Sequence, residues 1–157
     1  MLMGVAGSGK TTVGTLLASE LGWRFIDGDD LHSAANVEKM SRGVPLDDSD
    51  RRPWLLSIRN LIHGCESDGQ SVVVACSALK QDYRDFLNDG THIRWVFLAG
   101  SAQMIRDRLI HRMHHFMKSE LLDGQLEILE VPHDALVIDI ASTVPEIVKS
   151  IRQGLGV

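Results

Sequence analysis

The run Gly4-Val-Ala-Gly-Ser-Gly9-Lys10-Thr11 is where residue types and spacing first point to chemistry. It fits the pattern G-x-x-x-x-G-K-[ST], in which glycines let the backbone curl until its N–H groups surround phosphate oxygens. Lys10 would reach the same oxygens, and the Thr11 hydroxyl could ligate Mg²⁺. That mechanism needs a strand before the loop and a helix after it. Met1–Val5 is a short apolar strand, and Val13, Leu16, Leu17 and Leu21 then recur at helical spacing until Gly22. The helix N-terminus adds positive potential at the loop. Candidate nucleotide contacts are Gly4, Ala6, Gly7, Ser8, Gly9, Lys10, Thr11 and Thr12.

Absent motifs narrow the class. The GTPase patterns D-x-x-G and N-K-x-D do not occur, and Ser71–Cys76 ends in Cys76-Ser77 where hydrolytic ATPases carry a metal-binding acid. Acids instead gather in Asp27-Gly28-Asp29-Asp30, at the carboxyl end of a second short strand, Arg24–Ile26. This arrangement points to phosphoryl transfer onto a small acceptor. A carboxylate can orient the acceptor hydroxyl and take its proton late in transfer, a role assigned to Asp29; Asp27 is placed near the metal with Thr11.

An acidic protein binding an anionic acceptor needs local cations, and Lys39, Arg42, Arg51, Arg52, Lys80 and Arg84 are candidates. Lys80 follows the end of a buried strand, and Arg84, four residues on, is expected on the same helical face. Arg108 and Arg112 lie one turn apart and lead into Met113-His-His-Phe-Met117, an aperiodic run that reads as a flap. An arginine there would meet the transferring phosphoryl group as water is excluded.

These residues need a frame. The 157 residues are enough for one domain, 1–157, with an acceptor-binding segment at about 27–53 and a lid at about 112–125. Beyond the first two strands, Trp54, Leu55, Ile58, Leu61, Ile62 and Cys65 mark a helix, Ser71–Cys76 a strand and about Leu79–Leu87 a helix. Ile93–Leu98 is a strand, and Ala102, Ile105, Leu109 and Met113 mark the next helix. Leu136–Ile140 is the last strand, and Thr143-Val-Pro-Glu146 is a capping box opening a helix with Val144, Ile147, Val148 and Ile151 inward. Alternating strands and crossover helices predict an α/β fold, a five-stranded parallel sheet flanked by helices with a small lid. The polar stretch from Asp27 to Asp50 shows little periodicity and is expected to face ligand.

With 44% hydrophobic and 24% charged residues the chain suits a folded soluble domain, and a net charge of −5 offers no broad field for nucleic acid. No apolar stretch is long enough to span a bilayer, Met1–Ala6 does not read as a signal peptide, and two sparse cysteines suit a reducing compartment. A cytoplasmic protein without membrane or nucleic-acid partners is expected.

Together the motifs resemble the small P-loop gluconokinases, relatives of shikimate kinase and the nucleoside monophosphate kinases. The marks are Gly4–Thr11, Asp27-Gly-Asp-Asp-Leu-His32 with Asn36 and Lys39-Met40, Gly43-Val-Pro-Leu46, and Asp50-Arg51 with Pro53-Trp54-Leu55. They continue in Cys76-Ser-Ala-Leu-Lys80 with Tyr83-Arg84-Asp85, Arg112 with His115-Phe-Met117, and Leu121-Leu122, Gln125, Leu129-Glu130 and Pro132. The resemblance implies ATP- and Mg²⁺-dependent phosphorylation of D-gluconate to 6-phospho-D-gluconate. It implies an acceptor set of Asp27, Asp29, His32, Arg51, Lys80, Arg84 and His115, catalytic parts for Lys10, Asp29 and Arg112, Arg108 beside the nucleotide, and possible homodimers. Ser33 departs from the family's usual proline, and Gly124 stands where serine is usual. A kinase for another small acceptor, shikimate-like or a nucleoside monophosphate, and a non-catalytic nucleotide-binding module are the alternatives.

Overall fold

A computed structural model describes residues 1–110 and 120–157. Along the chain run β1 (Leu2–Met3), α1 (Lys10–Leu21), β2 (Arg24–Asp27), a short 3-10 turn (Gly28–Leu31), α2 (Ala34–Ser41) and α3 (Asp48–Ser67). There follow β3 (Val72–Ala75), α4 (Gln81–Asn88), β4 (Val96–Ala99), α5 (Ala102–Ile110), α6 (Glu120–Ile128), β5 (Leu136–Asp139) and α7 (Val144–Leu155).

The strands form one parallel sheet in the order β2-β3-β1-β4-β5. The chain leaves β1 for one edge and crosses from β3 to the other side, so the carboxyl ends of β1 and β3 open a crevice between them. Asp27 pairs in register with Ala75, which brings the acid cluster level with the end of β3.

Side-chain alternation splits the core into two layers. Leu2, Val73, Val96 and Leu98 pack on one face with Val13, Leu17, Ile105, Ile147 and Ile151 from α1, α5 and α7. Met3, Val74 and Phe97 pack on the other with Trp54, Ile58, Ile62 and Leu87 from α3 and α4. The helical stripes expected from spacing are the buried faces of α1, α3 and α7, while in α5 Ile105 and Leu109 are buried and Ala102, expected with them, is exposed; the five-strand parallel arrangement is the expected one.

Boundaries differ where loops take over. β1 is shorter than Met1–Val5 because Gly4, at φ 142°, turns out of the ladder to begin the phosphate loop. The stretch 27–50 holds more regular structure than its composition suggested. Ser33 Oγ accepts from the Asn36 N–H at 3.2 Å and caps α2, so the serine at this position is used as a helix start. α3 begins at Asp48, six residues before its first buried residue, because Asp47 and Asp50 form a reciprocal capping box. Expectations for residues 111–119, Arg112, Met113 and His115 included, fall outside the described residues. The end of the expected lid, residues 120–125, belongs to α6, where Leu122 is fully buried.

Candidate active site

The phosphate loop joins β1 to α1. Gly7 and Gly9 have φ of 82° and 96°, values that a Cβ would strain, and they curl the chain back onto the first turn of α1. Lys10 Nζ donates to the Gly4 and Val5 carbonyls at 2.9 and 3.0 Å, so the ammonium lies across the loop's opening. Thr11 Oγ1 donates to Asp27 Oδ2 at 2.7 Å, and the Ala6 N–H donates to Gln125 Oε1 at 2.7 Å.

Asp27 also accepts from the Asp29 N–H at 3.1 Å and thereby caps the 3-10 turn. Gly28 between them is forced by packing: a Cβ there would lie 2.6 Å from the Ala75 carbonyl oxygen. Trp54 Nε1 donates to the Gly28 carbonyl at 2.6 Å, tying α3 to this turn. The His32 ring stacks on Trp54 with centroids 4.4 Å apart and planes 11° from parallel. Burial, and then the nearby Arg51, push the His32 pKa down to about 4, so this imidazole is neutral at physiological pH.

The cations Arg51 and Lys80 are tied to one another and to Asp48 through shared hydrogen bonds. Lys80 Nζ lies 2.8 and 2.9 Å from the two oxygens of Asp48, the Tyr83 hydroxyl also donates to Asp48, and Arg51 Nη1 donates to the Tyr83 hydroxyl at 3.0 Å. The hydrogen bond to Asp48 raises the Lys80 pKa, and those from Lys80 and Tyr83 lower that of Asp48. Lys10, Thr11, Asp29, His32, Arg51 and Lys80 all face one cavity of about 550 Å³. A second, of about 310 Å³, lies against the phosphate loop and is lined by Thr12, Arg108, Ser142 and Val144. Arg108 Nη2 donates to the Ile140 carbonyl at 2.6 Å there. The loop thus borders two spaces, one rich in acids and cations and one beside α1 and α7.

A model of the shikimate kinase family matches residues 6–144. The "probable gluconokinase" of Rattus norvegicus is 44% identical, over 99% of this chain and 96% of its own length. The chain belongs to the shikimate kinase family, in its gluconokinase branch. The crystal structure of a gluconokinase from Sinorhizobium meliloti superposes at a TM-score of 0.88 with 44% identity, covering 99% of this chain and 89% of its own. That of a sugar kinase from Janibacter sp. superposes at 0.93 with 38% identity, covering 99% and 92%.

Within this gluconokinase frame the structure corrects one expected site residue. Arg84 does not line the cavity. Its N–H donates to the carbonyl of Lys80, the N-cap of α4, at 3.4 Å, but its side chain is taken up by the turn before the helix rather than by the site. Arg84 is 1% exposed, and its guanidinium donates to the Ala78 and Leu79 carbonyls at 3.0 and 3.1 Å and to Gln81 Oε1 at 2.6 Å. It holds a turn in which Ala78 adopts φ 42°, unusual for a non-glycine residue. Other candidate cations are paired elsewhere: Lys39 with Asp50 at 2.6 Å and Arg42 with Glu38 at 3.8 Å.

Asp48, Tyr83, Trp54 and Gln125 line the cavity without having been assigned a role from sequence. Trp54, Tyr83 and Gln125 stood among the marks of the family, which was the available signal; Asp48 sits in an acidic run that reads only as a helix start. Cys76 directly follows β3, where burial pushes its thiol up to about 12, so it offers no ionised ligand.

Proposed function

We propose that this chain transfers the γ-phosphoryl group of ATP to the 6-hydroxyl of D-gluconate. The observation that carries this reading is a single cavity lined together by the phosphate loop, Asp29, His32 and the cations Arg51 and Lys80. An acceptor that carries both a hydroxyl to be phosphorylated and a carboxylate to be held by cations fits that lining, and gluconate is such a molecule. The gluconokinase relatives support the same substrate.

Glycine-loop N–H groups, Lys10 and the α1 N-terminus bind the phosphates. The smaller space beside Thr12 and Arg108 takes the nucleoside. Mg²⁺ suits the oxygen donors Thr11 and Asp27, since this ion is usually held by one or two protein oxygens together with substrate phosphates. When bound, it would neutralise charge on the β- and γ-phosphates. Arg51 and Lys80 hold the acceptor's carboxylate, and His32 meets a hydroxyl. The acceptor oxygen then attacks the γ-phosphorus in line, the bond to the β–γ bridging oxygen breaks, and the hydroxyl proton passes to Asp29 as ADP leaves. Arg112 and His115 are proposed to complete the site from the lid at about 112–125 of the single domain 1–157. Among the described residues no helix is long and apolar enough to cross a membrane, and both cysteines are free and buried. These features suit the cytoplasm, where ATP and Mg²⁺ are present.

The test is ADP formation by the purified protein. Release should require Mg²⁺ and gluconate together; faster release with shikimate or AMP would refute the assignment.

A further inference from the structure

Asp48 and Arg51 stand three residues apart at the start of α3, the spacing at which an acid and a base on a helix surface close into a direct pair. They do not close. Arg51 Nη1 stays 3.9 Å from Asp48 Oδ1, beyond hydrogen-bond reach. The Tyr83 hydroxyl, brought in by α4, bridges the gap: it accepts from Arg51 Nη1 at 3.0 Å and donates to Asp48 Oδ1, which also takes Lys80 Nζ at 2.8 Å. A phenol has one proton to give, so the chain of donors runs in one direction, from Arg51 through Tyr83 to Asp48. Burial, and then the bond to Asp48, raise the Tyr83 pKa and keep that proton in place. The ring itself is buried, with Arg51 Cζ 5.7 Å and Lys80 Nζ 5.4 Å from its centroid.

The bridge decides what the arginine has left to offer a ligand. A guanidinium carries five N–H donors in a planar fork, and a direct pair with Asp48 would occupy that fork with a neighbour. With Nη1 on Tyr83, Arg51 makes no other hydrogen bond among the described residues, and it lines the cavity together with Lys80. We propose that Tyr83 is a positioning residue whose hydroxyl holds Arg51 off Asp48 and so keeps the guanidinium open to the carboxylate of the acceptor. Without the hydroxyl nothing fills the gap, and rotation of the two side chains brings their opposite charges together. The inference rests on the acceptor reading and adds to it the group that stops an acid-binding cation from being neutralised by the acid beside it.

Tyr83→Phe keeps the ring against both cations and removes only the bridge. Steady-state kinetics should show a gluconate KM about tenfold higher, with the ATP KM within about twofold, kcat within about threefold and Tm within a few degrees of wild type. A second substitution separates a spacer from a residue that merely packs. If Arg51 has closed on Asp48, removing the acid reopens it, so Asp48→Asn should lower the gluconate KM at least about threefold more in the Tyr83→Phe background than in the wild type. A hydroxyl with only a structural role predicts the reverse, losses that add. An unchanged gluconate KM in Tyr83→Phe, a rise in both KM values with a large fall in Tm, or no extra gain from Asp48→Asn would overturn the proposal and leave the substrate assignment in place. Wild-type protein that releases no ADP with gluconate would overturn both.

Discussion

Thr11 and Asp27 share a hydrogen bond of 2.7 Å, the threonine hydroxyl donating to the Oδ2 of the aspartate. It joins the first turn of α1, the helix that follows β1, to the end of β2, which lies two places from β1 in the sheet with β3 between them. Under the proposed function, these two hard oxygens beside the phosphate loop would hold a small divalent cation that keeps most of its water. Asp29 lies two residues on and lines the acceptor cavity. The two aspartates should therefore fail differently. Asp27→Asn is expected to raise the Mg²⁺ concentration for half-maximal rate about tenfold or more. Asp29→Asn should lower kcat about 10²-fold or more with a Mg²⁺ titration close to wild type. Overlapping Mg²⁺ titrations for the two variants would remove the distinction.

Lys10 lies across the loop on the Gly4 and Val5 carbonyls and is only partly buried. Lys10→Met is expected to reduce kcat about 10²-fold or more while Tm changes by only a few degrees, because the ammonium faces ligand space rather than core. A variant with near-normal turnover would show that the phosphates are held without it.

Lys80 and Arg84, four residues apart, should give opposite results. The Lys80 ammonium sits on Asp48 at the cavity wall, where an acceptor carboxylate can compete for it. Lys80→Met is expected to raise the gluconate KM about 10- to 100-fold and leave the ATP KM nearly unchanged. Arg84→Met strips the Ala78 and Leu79 carbonyls of a buried partner. It should destabilise by about 2 kcal/mol or more, with the gluconate KM of the folded fraction close to wild type. Steady-state kinetics beside urea melts check both.

That contrast shows where sequence reasoning stopped. The phosphate loop, Asp27 and Asp29 were readable because their chemistry lies in contiguous residues at a strand end, where spacing alone fixes the geometry. Arg84 was misplaced because spacing fixes where a backbone position lies and not where a long side chain goes: its guanidinium bonds the Ala78 and Leu79 carbonyls, partners that no charge pattern announces. α2 was missed because its eight residues bury only Asn36 and Met40, too little for an apolar stripe. α6 was masked by the basic, histidine-rich run before it, although Leu122 and Leu126 keep helical spacing. The tie of Asp48 to Lys80 and Tyr83 spans 32 and 35 residues, a distance at which no local pattern speaks.

Two glycines test packing against propensity. Gly64 is exposed in α3, and a Cβ there meets nothing within 4 Å. Gly64→Ala should stabilise by about 0.5 to 1 kcal/mol through helix propensity and unfolded-chain entropy, with kinetics unchanged. Gly28→Ala puts its methyl 2.6 Å from the Ala75 carbonyl oxygen, so the turn bearing Asp27 and Asp29 must move. It should destabilise by about 1 to 3 kcal/mol and lower kcat as well. Denaturation midpoints of opposite sign for one chemical change are the expected reading.

His32 ties stability to pH. Its ring lies flat on Trp54, its Nδ1 is buried with no hydrogen-bond partner among the described residues, and burial together with Arg51 holds its pKa at about 4. The unfolded chain takes up this proton near the ordinary value of 6.5. Between pH 6.5 and 4, then, the unfolded state binds more protons at this position than the folded state. Its contribution is fully present above 6.5 and is lost as pH falls towards 4. His32→Phe retains an aromatic ring to stack on Trp54 and removes the titration. Its urea midpoint should therefore fall less than that of wild type over the same pH interval, while other acid-sensitive groups act equally in both. The alternative is an imidazole that protonates in place, with a folded pKa near the unfolded one. In that case the two proteins should lose stability in parallel from pH 7 to 4, and a parallel pair of curves would remove His32 from the list of groups held neutral by the fold.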